Sequence, residues 1–184
     1  VYDSYATRKK KGSLAAIKRA QLFLRESRHY IKLDISKYFA SIDRNTLLEI
    51  LNRKLKDTRL LELITTIVWN PPDEDKGLPI GNMTSQFFAN VYMDPFDHFV
   101  KETLKQRHYI RYMDDFVVFT DDRSGIRGLL DRMRAYLNDE LGLKVKENGV
   151  VINTPAHGLG FLGVRIFPST VRLHRKNLSR CLRK

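Results

Sequence analysis

The apolar residues of this chain recur with two periods, and each period predicts one kind of element. Apolar positions three and four residues apart predict helices at about residues 14–27, 44–55, 58–69, 84–105 and 124–141. Short apolar runs predict strands at about residues 30–34, 143–146, 150–153, 160–167 and 170–173. Asp43 and Asp57 suit the N-caps of the second and third helices, and Pro95 is expected to bend or break the fourth. In the first helix the expected buried stripe is Leu14, Ile17, Leu22 and Phe23.

Two further apolar runs flank Tyr112-Met113-Asp114-Asp115 and predict a β-hairpin with adjacent carboxylates at its tip. A third carboxylate, Asp34, ends the strand predicted at 30–34. Asp is a common turn residue, so a pair alone means little, and Asp121-Asp122 is expected only to cap the following helix. Carboxylates held close together repel unless a cation neutralises them. Three of them at strand ends therefore suit a site for two divalent cations, which activates a hydroxyl nucleophile and stabilises a leaving phosphate oxygen.

The order of the elements indicates the fold class. A helix, a strand, two helices and a long helix precede the hairpin, and a helix and short strands follow it. Strands from separated parts of the chain, together with an antiparallel hairpin, favour an α+β domain with helices on one face of a mainly antiparallel sheet. The open face is then expected to present Asp34, Asp114 and Asp115 to a ligand.

Composition narrows the choice of ligand. The 184 residues include 33 Lys and Arg against 21 Asp and Glu, and this charge of +12 favours nucleic acid first and an anionic membrane surface second. No apolar run approaches the ~18 residues of a membrane span, and the N-terminus lacks a signal-peptide pattern. The single Cys181 excludes an internal disulfide, and five scattered His residues make no zinc-ligand spacing. These features favour a cytoplasmic location, and the acidic loop residues 73–75 are expected to be solvated.

Five segments, in chain order, resemble the motifs of the reverse transcriptase palm. They are Asp34-Ile35-Ser36-Lys37-Tyr38-Phe39, Gly77-Leu78-Pro79-Ile80-Gly81-Asn82-Met83-Thr84-Ser85-Gln86, Tyr112-Met113-Asp114-Asp115, Leu141-Gly142-Leu143-Lys144-Val145-Lys146-Glu147-Asn148 and Gly160-Phe161-Leu162-Gly163. One motif alone would be a weak signal, whereas several in order over nearly the whole chain are specific. The resemblance implies an α+β polymerase palm, with an antiparallel sheet backed by helices, plus part of the fingers.

The resemblance also implies roles at the metal site. Asp34, Asp114 and Asp115 would be the catalytic carboxylates that hold two Mg²⁺ ions, which Mn²⁺ can replace. Ile35 would offer its backbone carbonyl to the ion on the nucleotide side. The reaction implied is attack of a primer 3′-hydroxyl on the α-phosphate of a deoxynucleotide.

Substrate contacts are implied as well. For the incoming nucleotide they are Ile35, Phe39, Gly81, Gln86 and Lys146, and for nucleic acid Arg8, Lys9, Lys10, Lys11, Tyr112, Phe161, Leu162 and Gly163. Phe39 would lie under the sugar and exclude a 2′-hydroxyl, with a core aromatic as the alternative. The basic run at 8–11 has a solvated charge cluster as its alternative. The implied partners are an RNA template, a DNA primer or an RNA/DNA hybrid, deoxynucleoside triphosphates and a small basic accessory protein.

Three parts of the chain are expected. Residues 1–29 form a basic segment and part of the fingers, and residues 30–173 form the palm, within which 44–80 are a finger-side helical insertion. Residues 174–184 form the basic start of a thumb or tail.

The subfamily rests on a few positions. Gly81-Asn82 and Ser85-Gln86 resemble the enzymes of diversity-generating retroelements, whereas intron-type bacterial enzymes usually have Gly-Gly and Ser-Pro there. The resemblance implies an enzyme that copies a template RNA with errors at adenines. Two alternatives stay open: an intron-type or defence-associated reverse transcriptase, and a catalytically inactive palm that serves as an RNA-binding scaffold. The presence of all three carboxylates counts against the inactive palm.

Overall fold

The computed structural model describes residues 2–70 and 76–173, and over these residues it shows an antiparallel sheet backed by helices. The helices are α1 (Ser13–Glu26), α2 (Tyr38–Ser41), α3 (Arg44–Lys54), α4 (Thr58–Val68), α5 (Met83–Tyr92), α6 (Asp94–His98) and α7 (Ile126–Asp139). A π-helical turn, Phe99–Thr103, continues α6, and short 3₁₀ turns lie at Glu147–Gly149 and Pro155–His157. The strands are β1 (His29–Asp34), β2 (His108–Tyr112), β3 (Asp115–Thr120), β4 (Val151–Asn153), β5 (Leu159–Phe161), β6 (Val164–Ile166) and β7 (Val171–Leu173). The α+β prediction is thereby confirmed.

The main sheet has the strand order β2-β3-β1-β4, with antiparallel neighbours, and β5-β6-β7 form a second, smaller sheet. The N-terminal segment lengthens the main sheet at its β2 edge, where Ser4 bridges Arg111 in parallel. Since side chains alternate between the faces of a strand, the register divides the sheet residues into two sets. The first face carries Ile31, Leu33, Tyr109, Phe116 and Val118, packed against α3 to α7. The second carries Tyr30, Ile110, Val117 and Phe119, packed against α1 and the small sheet.

The prediction that helices cover one face of the sheet holds for α3 to α7 but not for α1, which lies on the opposite face. Its expected buried stripe is also partly wrong, because Leu14 and Leu22 are exposed. Ala16 and Ala20 face the sheet in their place, together with Phe23 and Leu24. Small side chains let α1 approach the strands closely, and this selects the alanine face of the helix.

The long helix predicted at 84–105 is broken where Pro95 falls. One helix ends at Tyr92, and the next begins at Asp94 with the proline in its first turn. Residues 143–146 make one isolated bridge, between Ile35 and Val145, instead of the predicted strand. The strand predicted at 160–167 is the hairpin β5–β6, which turns through Leu162 (φ 50°) and Gly163 (φ 80°).

Some predictions fall outside the described residues. These are the acidic loop at 73–75, the basic segment at 174–184 and Cys181. Within 2–70 and 76–173, no helix combines the length and the apolar character needed to cross a bilayer.

Candidate active site

The pairing of β1 with β3 places Asp34 directly opposite Asp115, at one end of the main sheet. The pairing of β2 with β3 places Tyr112 opposite the same residue, so Met113 and Asp114 form the two-residue turn of the hairpin. Met113 has a positive φ of 56°, as tight hairpin turns require. Directly opposed residues share a face of the sheet, so the carboxylates predicted from separate motifs meet at one sheet end.

The electrostatics of this sheet end disfavour uncompensated charge. Burial raises the pKa of Asp115 to about 6, and the charges of Asp34 and Asp114 act in the same direction while Lys32 opposes them. Burial also raises the pKa of Asp114, and the nearby charge of Asp34 adds to this rise. A cation placed among these oxygens would reverse both effects.

Two lysines lie at the carboxylates. Lys32 Nζ is 3.1 Å from Asp115 Oδ2, and Lys146 Nζ is 3.6 Å from Asp34 Oδ2. Across residues 2–70 and 76–173, no three His, Cys, Asp or Glu side chains converge on a common metal position. The carboxylates are thus brought near one another but are arranged around ammonium groups.

The donor set nevertheless fits a hard divalent cation. Asp115 Oδ1 is buried and has no hydrogen-bond partner among the described residues. Carboxylate and carbonyl oxygens are the ligands that Mg²⁺ takes in proteins. An unpaired buried oxygen of this kind is costly unless a ligand satisfies it, so the site suits a metal that the free carboxylates would attract.

The backbone at Ile35 is arranged to offer a carbonyl oxygen. Ser36 N–H donates to Lys144 O (2.8 Å), and Lys146 N–H donates to Asp34 O (2.9 Å). These bonds flank the bridge between Ile35 and Val145, so the polar groups of Ile35 point away from Val145, toward the side of β1 on which β3 begins. The side chain of Ile35 is buried in the core.

Apart from Lys146, the predicted nucleotide contacts lie on two segments that pack side by side. Gly77 N–H donates to Ile42 O (2.8 Å) and Leu78 N–H to Phe39 O (2.9 Å), which joins the second motif to the first. Phe39 is partly buried, with its ring edge-on to Tyr38. Gly81 is exposed with φ 104°, a conformation that glycine tolerates best, and it leads into α5. Gln86 lies in the first turns of that helix and is partly buried.

The predicted nucleic-acid contacts differ in accessibility. Arg8, Lys9 and Lys10 are exposed, whereas the Lys11 ammonium lies 3.6 Å from the ring centre of Tyr2 and 4.5 Å from that of Tyr5. Tyr112, Leu162 and Gly163 are partly or fully exposed. Phe161 is 2% exposed, so its ring packs in the second core and only the hairpin tip offers surface to a ligand.

Sequence reasoning missed a buried ion pair behind the hairpin. The Arg111 guanidinium donates to Asp97 through two nitrogens, at 2.7 and 2.6 Å, and both side chains are about 1% exposed. Arg111 also donates to the carbonyl of Met113 (3.1 Å), in the turn that carries Asp114. The signal available in the sequence was a charged residue at a core-facing position of an otherwise apolar strand.

Gly149 was missed as well. A Cβ at this position would lie 3.0 Å from Asp34 Cβ, 3.1 Å from Asp34 O and 2.8 Å from Lys146 Cβ. The absence of a side chain therefore lets the 3₁₀ turn at 147–149 pack directly on Asp34. No local pattern marks this glycine, because its φ is negative and its neighbour lies more than a hundred positions away.

Comparisons with known sequences bear on this site. The sequence model of the family described as reverse transcriptase (RNA-dependent DNA polymerase) matches residues 2–166. The COX1/OXI3 intron 2 protein of Saccharomyces cerevisiae is 19% identical, over 95% of this chain and 28% of its own length. The group II intron-encoded protein LtrA of Lactococcus lactis is 28% identical, over 53% of this chain and 17% of its own length. The chain thus spans less than a third of these relatives.

Solved structures share the fold. Telomerase from Candida albicans matches with a TM-score of 0.72 at 12% identity, covering 95% of this chain and 35% of that chain. Apo telomerase from Candida tropicalis matches with a TM-score of 0.71 at 14% identity, covering 94% of this chain and 41% of that chain. At such identities the likeness concerns the fold alone.

Proposed function

The chain belongs to the reverse transcriptase family, and from this membership we propose that it extends a primer on an RNA template by nucleotidyl transfer. One observation carries the proposal: the sheet register brings Asp34 of one motif opposite Asp115 of another, with Asp114 in the adjoining turn. A pair of acids at a strand end is ordinary, but here a third acid lies beside it, and burial raises the pKa values of both Asp114 and Asp115. Holding such charged groups together is costly unless a bound cation neutralises them.

Asp34, Asp114 and Asp115, with the carbonyl of Ile35, would hold Mg²⁺ or Mn²⁺. Two such ions, when bound, lower the pKa of the primer 3′-hydroxyl and stabilise the leaving oxygen of the pyrophosphate. The contribution of the chain is to hold these oxygens on rigid strand ends. Lys146, more than half exposed and beside Asp34, is placed to approach the phosphates of a deoxynucleoside triphosphate.

The nucleic-acid partners follow from charge and position. The net charge of +12 suits an RNA template paired with a DNA primer, held by backbone contacts that do not read sequence. Exposed Arg8, Lys9 and Lys10 and the hairpin tip at Leu162 and Gly163 are the proposed contacts. Residues 1–29 and the helices within 44–80 would belong to the fingers, residues 30–173 otherwise to the palm, and 174–184 to a thumb or tail.

Extension of a labelled DNA primer on a defined RNA template tests the proposal. We expect extension that needs deoxynucleotides and a divalent cation, with Mn²⁺ able to replace Mg²⁺. Duplex binding without any extension, and without a saturable divalent site, would instead indicate an RNA-binding scaffold.

Phe39→Ala is expected to admit ribonucleotides at least ~10-fold better relative to deoxynucleotides. The reason is that the aromatic ring, backed by Tyr38, would press against a 2′-hydroxyl and leave that hydroxyl without a partner. The measurement is the ratio of kcat/KM for matched deoxy- and ribonucleotides in wild type and variant. An unchanged ratio would identify Phe39 as a core aromatic only.

The subfamily of the enzyme is a further proposal. Gln86 favours a retroelement enzyme that acts with a basic accessory protein, whereas the names of the curated relatives favour an intron-type enzyme. We expect Gln86→Ala and Gln86→Pro to change misincorporation, most of all opposite template adenine, because the glutamine amide can bond beside the nascent base pair. Sequencing of the products by template base measures the effect, and duplex affinity serves as the control. An error spectrum that does not move would leave the intron-type enzyme as the better proposal.

A further inference from the structure

Lys32 joins the proposed metal site to the hairpin β5–β6 through a single side chain. Its ammonium lies 3.1 Å from Asp115 Oδ2 and donates a 2.9 Å hydrogen bond to the carbonyl of Gly160. Asp115 belongs to the catalytic hairpin, whereas Gly160 belongs to β5, so the two partners come from different sheets. A surface lysine with one carboxylate would be ordinary; a lysine shared between two sheets is a structural link.

Two side chains of β1 bond with equal spacing to the backbone at the start of the hairpin. The Tyr30 hydroxyl donates to Gly158 O (2.9 Å), and Lys32, two positions after Tyr30, donates to Gly160 O, two positions after Gly158. Residues two apart in a strand share a face, so both segments advance together toward the carboxylate end of the sheet. If the same spacing continues, the next pair in the two segments is Asp34 and the hairpin tip at Leu162.

A cleft between β1 and the start of the hairpin includes Asp34, so the alignment of these two segments bears on the proposed metal site. The cleft has a volume of about 200 Å³ and is lined by residues of both segments, including Tyr30, Lys32, Asp34 and Gly160. The apolar side chains of Leu159, Phe161 and Ile166 also pack the hairpin against the sheet. Apolar packing is non-directional, whereas the hydrogen bonds from Tyr30 and Lys32 define a register, and Lys32 is the donor that also contacts Asp115.

We propose that Lys32 is a positioning residue that sets the end of the primer, held at the β5–β6 tip, in register with the carboxylates. The inference rests on the proposed function, since it takes the hairpin to contact the primer. Lys32 touches neither primer nor nucleotide; it acts through Asp115 on one side and Gly160 on the other. Its loss changes where the primer end lies more than how tightly the primer binds.

The test compares Lys32→Met with Lys56→Met, which removes the same charge from the exposed loop between α3 and α4. Fe²⁺ replaces Mg²⁺, and added hydrogen peroxide, with ascorbate to regenerate Fe²⁺, produces hydroxyl radicals at the metal site that cleave an end-labelled primer near its terminus. In wild type and Lys56→Met we expect cleavage centred on the same nucleotides. In Lys32→Met we expect the cleavage to shift by a nucleotide or to spread over several.

Kinetics supply the second readout. A misplacement of about 1 Å can cost about 100-fold in rate, so kcat for primer extension should fall by about 10- to 100-fold in Lys32→Met. The Kd for the primer duplex should stay within about twofold. Lys32→Arg keeps both donations and should recover most of the rate, whereas Lys32→Gln keeps only a neutral donor for Gly160 and should recover part of it. Since these two variants preserve a polar side chain, they keep the test open if Lys32→Met does not fold.

The outcomes separate the two proposals. If wild type shows no localised cleavage, the metal site itself is wrong, and the inference falls with it. If wild type shows localised cleavage and folded Lys32 variants show the same pattern with unchanged kcat, the metal site stands and the positioning role is wrong. A loss of duplex affinity equal to the loss of rate would make Lys32 a binding residue and also overturn the inference.

Discussion

Asp114→Asn is expected to lower the rate of primer extension by about 10³-fold or more while duplex affinity stays unchanged. Asn keeps the shape of the side chain but removes a charged oxygen. Metal ions stabilise the charge that develops in the transition state by several kcal/mol, and a loss of about 4 kcal/mol corresponds to a 10³-fold lower rate. Single-turnover extension and duplex binding, measured in parallel, separate the chemical step from affinity. The matched control is Asp131→Asn, which changes an exposed aspartate on α7.

The same substitution should not destabilise the metal-free protein. Burial and the charge of Asp34 raise the pKa of Asp114, which means that the folded state disfavours its charged form. A neutral amide removes that repulsion, so the free energy of unfolding at pH 7 is expected to stay the same or to rise. Extension near the wild-type rate would contradict the assignment, and a large loss of stability would indicate that Asp114 has a structural role.

Asp97→Ala is expected to lower the free energy of unfolding by about 3–5 kcal/mol, because it leaves the buried Arg111 guanidinium without its partner. Burial disfavours this charge, and Asp97 outweighs that effect, so the pKa of Arg111 lies above its ordinary value and the guanidinium stays charged. Unfolding in urea, followed by circular dichroism, measures the loss.

The chain offers a control ion pair with the same shortest separation at the surface. Lys54 and Asp94 are 2.6 Å apart, as are Arg111 and Asp97, but their side chains are 49% and 21% exposed. Lys54→Ala should therefore cost at most about 1 kcal/mol. Equal costs at the two sites would show that burial does not decide the strength of these pairs.

The buried pair also connects stability with the site. Arg111 holds the Met113 carbonyl, and Asn90 of α5 accepts a further bond from the same guanidinium (3.0 Å). The turn that carries Asp114 is thus tied to α5, the helix that begins within the second motif. A conservative Arg111→Lys change cannot reproduce this fork of donors and is expected to loosen the turn.

The short-range patterns of the sequence were sufficient for the elements of the site. A short apolar run that ends in Asp34, and two apolar runs around Asp114 and Asp115, predicted the strand and the hairpin that the structure contains. The break of the long helix at Pro95 followed from the missing N–H of proline. These features depend on neighbours a few positions apart, and local chemistry decides them.

Long-range contacts lay beyond such patterns. The burial of Ala16 in place of Leu14 depends on which face of α1 meets the sheet, and no property of the helix alone specifies that face. The apolar run at 160–167 predicts one strand, but Leu162 and Gly163 inside that run form the turn of a hairpin. The metal ligands, nucleotide contacts and domain limits stay predictions, because the position of a residue in the fold does not test its role.

Runs of a few residues identify the family, the strands at the site and the carboxylates at their ends. The surroundings of these carboxylates depend on the three-dimensional fold: Lys32 bonds to a carbonyl 128 positions away, Asp97 pairs with Arg111, and Gly149 packs against Asp34. The physical reason is that burial and pairing energies belong to positions in space. The sequence gives only the residue type of a lysine, an aspartate or a glycine, which is the same whether that residue is exposed to water or packed against a buried partner.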